Sequence, residues 1–226
     1  MMLSKPSLRN TGLALTSLAA LAVPVAVSHS QTAPARDDIV KQLSGFETAG
    51  ELDISALKQK VSDKSRSRGK NEPEPSKRPL IAPELKELPS FTVTIDFDSD
   101  TPVVRPSSYQ TVGRIADALV SASLLPYGFL IVGHTESNGR REANVLLSQR
   151  RADAIRDSLV NTFKISSKRV ASLGLGEEQF IDQAHPTSPA NQQIQIVTIA
   201  KLPEQSEQPA QPTGGAKSGK KGAKKR

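Results

Sequence analysis

An arginine in the middle of an apolar helical stripe needs a partner, and one such arginine stands out in this chain. On a helical wheel turning about 100° per residue, with Asn144 at zero, Arg151 falls at about −20° and Ser148 at about 40°. Ala143, Leu147, Ala154, Ile155, Ser158 and Leu159 lie between about −100° and +60°, the stripe that faces a core. Glu142, Gln149, Arg150, Asp153, Arg156 and Asp157 fall between about 120° and 240°, where a solvated face carries them. Asn144, Ser148 and Arg151 therefore interrupt the core face with polar groups, and a buried guanidinium without a partner is costly. The nearest candidate partner off the solvated face is Glu136, just ahead of the same helix. Two chemistries suit one acid and one base at such a place. They pair with each other, or they hold a zwitterion, the acid taking an ammonium and the arginine clasping a carboxylate in a bidentate bond.

The elements around this group are readable from periodicity. Phe91-Thr-Val-Thr-Ile-Asp-Phe97 alternates apolar and polar residues, as a strand with one buried face requires. An acidic turn with Asp96, Asp98 and Asp100 follows, and Pro106 opens a helix with Tyr109, Val112, Ile115, Ala116 and Leu119 at helical spacing. After Pro126 and Gly128, Phe129-Leu-Ile-Val132 reads as a strand covered on both faces, ending in Gly133-His-Thr-Glu136. The spacing then predicts a long helix over Arg140 to Thr162, a strand over Arg169 to Leu173, a loop with Gly174 and Gly176, and a last alternating strand over Gln193 to Ile199. The order β-α-β-α-β-β implies an α/β sandwich, a mixed sheet with helices packed on it.

The run Gly133-His-Thr-Glu-Ser-Asn-Gly139, followed by Asn144-x-x-Leu147-Ser148-x-x-Arg151-Ala152, resembles the signature of the OmpA-like peptidoglycan-binding family (the C-terminal domains of OmpA and MotB). The lead-in Ile95-Asp-Phe-Asp-Ser99 with Pro106 is also similar to the family's Phe-Asp-Ser entry, so the resemblance covers Phe91 to Ile199. It implies non-covalent binding of the diaminopimelate-containing stem peptide of peptidoglycan. Glu136 and Arg151 would grip the amino acid end, with Thr135, Asn144 and Ser148 as further ligand-binding residues. Two positions depart from the family pattern: Glu136 replaces an aspartate, and Asn191-Gln192-Gln193 replaces Asn-Arg-Arg before the last strand. A second function class fits the same resemblance, a degenerate envelope scaffold whose domain meets a protein and not murein.

The flanks are less regular. Lys5 and Arg9 precede an apolar run over Gly12 to Val27, which is signal-peptide grammar, with cleavage expected after Ser30. Residues 31–90 read as partly helical, over Asp37 to Phe46 and Ile54 to Val61, then as an extended tether over Ser62 to Ser90 with prolines at 73, 75, 79, 83 and 89. Residues 91–201 form the domain. Residues 202–226 read as a disordered tail in which five lysines and Arg226 stand against Glu204 and Glu207.

Exclusions follow from composition. There is no cysteine, so no disulfide framework and no lipidated cysteine is expected, and a membrane barrel has too few strands to draw on. Three histidines, two of them isolated, make zinc improbable; His134 reads as a structural turn residue and no cofactor or enzyme motif is found. The pI near 9.7 would suggest nucleic acid in a cytosolic chain, but export rules that out. Anionic lipid or lipopolysaccharide is the expected contact of the tail, and another envelope protein that of the N-terminal segment. The expected place is the periplasm, peripheral to the outer membrane.

Overall fold

The computed structural model describes residues 33–46, 52–67 and 73–202. The expected export segment and the lysine-rich tail both lie outside the described residues.

Four strands make the sheet: β1 (Ser90–Val93), β2 (Tyr127–His134), β3 (Val170–Gly176) and β4 (Ile194–Lys201). Their order is β1-β4-β2-β3, with β2 parallel to β3 and β4 antiparallel to both β1 and β2. Helices α1 (Arg36–Leu43), α3 (Tyr109–Leu119) and α4 (Arg141–Asp157) supply Ile39, Leu43, Ile115, Leu119 and Ile155 to one core, against Phe91, Phe129, Ile131, Ile194 and Ile196 of the sheet. The mixed sheet with packed helices is the α/β sandwich that the alternation of periods implied. Each large apolar side chain so buried contributes about 1.5–3 kcal/mol.

The back of the sheet is also covered, and here the structure corrects the sequence reading. Residues 62–90 were expected to be an extended tether. Instead α2 (Ile54–Arg66) runs past its expected end, and Leu57, Val61, Ile81, Ala82 and Leu85 pack on Leu130, Val132, Leu173, Leu175 and Val197. The prolines do not extend this chain: Pro75 and Pro83 open 3-10 turns, Pro75–Lys77 and Pro83–Glu87, where a missing N–H costs nothing. Proline content concealed the apolar spacing of Ile81, Ala82 and Leu85, which a sheet with two apolar faces needs.

Smaller differences have local causes. β1 leaves the sheet after Val93, and Phe97 re-pairs with Val104 in a short hairpin, so the alternation through Phe97 spans two features. Tyr109 is exposed, because a 3-10 turn over Pro106–Ser108 shifts where the helical face begins. α4 ends at Asp157 and continues as a π-helical turn, Ser158–Thr162.

The glycines expected in a loop, Gly174 and Gly176, lie inside β3, and they set the height of α4 above the sheet. A Cβ at Gly133 would run into the Ser148 carbonyl, one at Gly174 into the Gln149 backbone, and one at Gly176 would meet Val145 N at 2.7 Å. Only glycine permits this approach, so the N-terminal half of α4 rests directly on the ends of β2 and β3.

Candidate functional site

The core-facing stripe of α4 is turned relative to the wheel reading. Arg141, Asn144, Ser148, Arg151, Ala152 and Ile155 are buried, whereas Ala143 is exposed and Leu147 half-buried. Gln149 and Asp153, expected in water, are half-buried: Gly174 N donates to Gln149 Oε1 (2.8 Å), and the Ser172 hydroxyl donates to Asp153 (2.6 Å). Because the three glycines lower the helix onto β3, residues on its flank meet the strand backbone.

At the C-terminal end of β2 this arrangement opens a cavity of about 230 Å³. Thr135, Glu136, Asn144 and Arg151 line it, joined by Leu147 of the same helix, by Gln192, and by Phe97 and Asp100 from a hairpin the sequence reading had not placed at the site. Ser148 does not line it. Its hydroxyl donates to Val145 O (2.9 Å) and accepts from Gly176 N (2.9 Å), so it fastens α4 to β3.

Arg151 is almost fully buried, at 6% exposure, and is held from three sides. Its Nε donates to Thr101 O (3.1 Å), Nη1 donates to Gln192 Oε1 (3.2 Å), and the guanidinium lies 4.8 Å from the centre of the Phe97 ring. Thr101 is offered by the 96–105 hairpin, whose tip residue Asp100 adopts φ +55, a left-handed turn that aspartate tolerates. Burial draws the arginine below its ordinary proton affinity, and the fields of Asp100 and then Glu136 oppose that pull. The guanidinium stays charged at any physiological pH.

Glu136 stands differently. Its field reaches Arg151, yet its carboxylate makes no ion pair or hydrogen bond among the described residues. Thr135 is also unfinished: its backbone N–H donates to Gly176 O, but its buried Oγ1 has no partner among the described residues. A buried polar atom without a partner is uncommon and calls for a reason.

Behind the cavity lies a layer of buried acids that sequence reasoning missed. Asn144 donates to Glu177 Oε2 (2.6 Å), to Asn138 Oδ1 (2.9 Å) and to the Glu136 carbonyl (3.4 Å), so it holds the loop that carries Glu136. Glu177, 1% exposed, also accepts from Ser137 and from Arg78 of the back-face segment. Glu178 forms a bidentate, fully buried pair with Arg141. The only sequence signal for these acids was their place after a glycine pair at a strand end. Asn191 pins the neighbouring loop by accepting from Asp182 N and donating to the Asp182 and His185 carbonyls, which sets Gln192 against Arg151.

His134, expected in a turn, is the last residue of β2 and buried, its Nδ1 bonded to Gln179 O (2.9 Å) and its Nε2 to Gln195 Oε1 (3.3 Å). Burial lowers its proton affinity. Among the described residues no group of three metal-binding side chains occurs, and no helix is long and apolar enough to cross a membrane.

The fold is an α/β module, a mixed four-stranded sheet with an acid and an arginine facing one small cavity at the end of β2. Residues 96–194 of the chain match the OmpA family. Over 97 residues the chain is 33% identical to outer membrane porin F of Pseudomonas aeruginosa, covering 43% of this chain and 27% of that protein. Over 113 residues it is 33% identical to the peptidoglycan-associated lipoprotein of Rhizobium meliloti, covering 48% and 62% respectively. The chain thus spans about a quarter of the porin and under two thirds of the lipoprotein. Among solved structures, the peptidoglycan-associated lipoprotein from Burkholderia pseudomallei aligns at 26% identity and a TM-score of 0.38, covering 48% of this chain and 87% of that one. These relatives are named as porins and lipoproteins, not as enzymes.

Proposed function

We propose that this domain binds peptidoglycan without a covalent bond, by holding the amino acid end of a diaminopimelate-containing stem peptide, and so ties an envelope component to the wall. One observation carries the reading: Glu136 and Arg151 face the same cavity and do not satisfy each other. An acid and a base kept apart leave room for a group with an ammonium at one end and an acceptor at the other. The cavity's size supports the choice of an end group. About 230 Å³ is smaller than the roughly 300–1,000 Å³ of sites that enclose a whole drug-sized ligand. The names of the relatives add the same chemistry, since several are peptidoglycan-associated lipoproteins.

In this mechanism the Arg151 guanidinium, already fixed by Phe97, Thr101 and Gln192, takes the ligand's carboxyl oxygen with little further ordering. Glu136 takes the ammonium, and Asn144 keeps Glu136 in place through its main-chain carbonyl. The test is co-sedimentation of the full chain with diaminopimelate-type sacculi at low and high salt. Binding should resist salt and weaken in Arg151→Ala by about 2–5 kcal/mol, with the fold intact by circular dichroism. Binding that vanishes with salt alone would leave adhesion to the lysine-rich tail and make the domain a scaffold.

A further inference from the structure

The charges lining the cavity do not balance. Arg151 brings +1, and Glu136 and Asp100 bring −1 each, so the lining carries a net charge of 1 − 2 = −1; Asp98, the next acid in the hairpin, is paired with Arg105 outside the cavity lining. A zwitterion adds no charge and leaves that excess in a site where Arg151 is 6% exposed. It also brings a carboxylate toward two others. A ligand with an ammonium and a neutral carboxyl derivative adds +1 and closes the balance.

The hydrogen-bond inventory points the same way. A carboxylate only accepts, whereas a primary carboxamide both accepts and donates. The lining offers both kinds of group. Arg151 has donors beyond those given to Thr101 and Gln192, and the Gln192 side-chain N–H₂ has no acceptor among the described residues. The buried Thr135 Oγ1, 3% exposed and without a partner among the described residues, is an acceptor for an amide N–H. An arginine at 192 would supply donors alone and turn the lining neutral; glutamine bonds Arg151 through its own oxygen and keeps the site acidic.

We infer that the cavity selects the amidated form of the stem-peptide end, an α-ammonium carboxamide, with Gln192 and Thr135 as the residues that set this preference. The inference rests on the proposed stem-peptide reading and narrows it to one chemical class of ligand. It predicts that an exchange at 192 changes which ligand is preferred, and not merely how tightly the site binds.

The experiment is calorimetric titration of the full chain with two synthetic tripeptides ending in diaminopimelate, identical except at the carboxyl group beside the free side-chain ammonium, which is a carboxylate in one and a carboxamide in the other. The carboxamide is expected to bind at least about tenfold tighter. Gln192→Arg should reverse that order, and Thr135→Val should reduce the carboxamide's advantage to less than about threefold. Circular dichroism confirms that each variant is folded. Equal or tighter binding of the free acid, with binding still lost in Arg151→Ala, overturns this inference and leaves the stem-peptide reading standing. No binding of either tripeptide overturns both.

Discussion

Two arginines on the same helix meet acids in opposite ways. Arg141 closes on Glu178 in a bidentate pair with both side chains out of water, whereas Arg151 and Glu136 face one cavity and stay apart. The difference lies in what each acid is attached to. Glu178 follows β3 directly and its N–H is tied back to Leu175 O, so its carboxylate is delivered to the helix. Glu136 rides on a loop whose carbonyl Asn144 holds, which fixes its backbone and leaves the side chain to the cavity. A closed pair stabilises a fold at best modestly and punishes its own disruption; an open one keeps its interaction capacity for something else.

The comparison can be broken most forcefully at the closed pair. Arg141→Ala should cost about 3–5 kcal/mol in denaturant unfolding by stranding Glu178, while the double change Arg141→Met with Glu178→Leu should recover most of that loss. If the single change is as mild as a surface substitution, the pair is not what fixes this end of α4. Next in size is Gly174→Ala, which would force the Gln149 backbone away and cost about 1–3 kcal/mol. Sacculus binding should fall with it, because the whole lining moves with α4.

A smaller effect belongs to His134, on the closed side. Its folded proton affinity is lowered by burial, so between the ordinary value near 6.5 and the lower folded one the unfolded chain binds the extra proton. Stability should be full above about pH 6.5 and decline as pH falls through that window, by no more than about 1.4 kcal/mol per pH unit; His134→Asn should remove this component of the slope. Smallest of all is Glu136→Gln, expected to shift unfolding stability by less than about 0.5 kcal/mol while weakening sacculus binding. A large stability loss there would mean that Glu136 has a structural partner after all.

Much of the architecture was legible because periodicity reports which faces are buried. The alternation at Phe91 and Gln193 and the apolar run at Phe129 mark strands that the structure contains. The back-face cover was not legible, since its apolar residues are sparse among prolines and charges and declare themselves only against a sheet that needs them. The turned stripe of α4 has a related cause: a wheel centres the apolar residues, but the glycines of the strands decide which side of the helix comes down. Glu136, Asn144 and Arg151 share a short stretch of chain, and spacing alone groups them, whereas Thr135 was named only through the family resemblance. Phe97, Asp100 and Gln192 reach the same cavity across long sequence separations, and Glu177 and Glu178 had no visible partner until Arg78, Asn144 and Arg141 were brought to them.

The cover over the back of the sheet has a practical corollary at the bench. Limits drawn from family similarity, 96–194, discard β1, all of β4 after Ile194, α1, α2 and the turns that carry Ile81, Ala82 and Leu85. A fragment trimmed to those limits would turn Leu130, Val132, Leu173 and Leu175 toward solvent as one greasy sheet surface. Such a particle behaves as a sticky colloid: it scatters light, its apparent size grows with concentration, and it coats whatever it is mixed with. Pull-downs made with it would collect bystanders, and only a piece beginning near Ala33 would be quiet enough to trust.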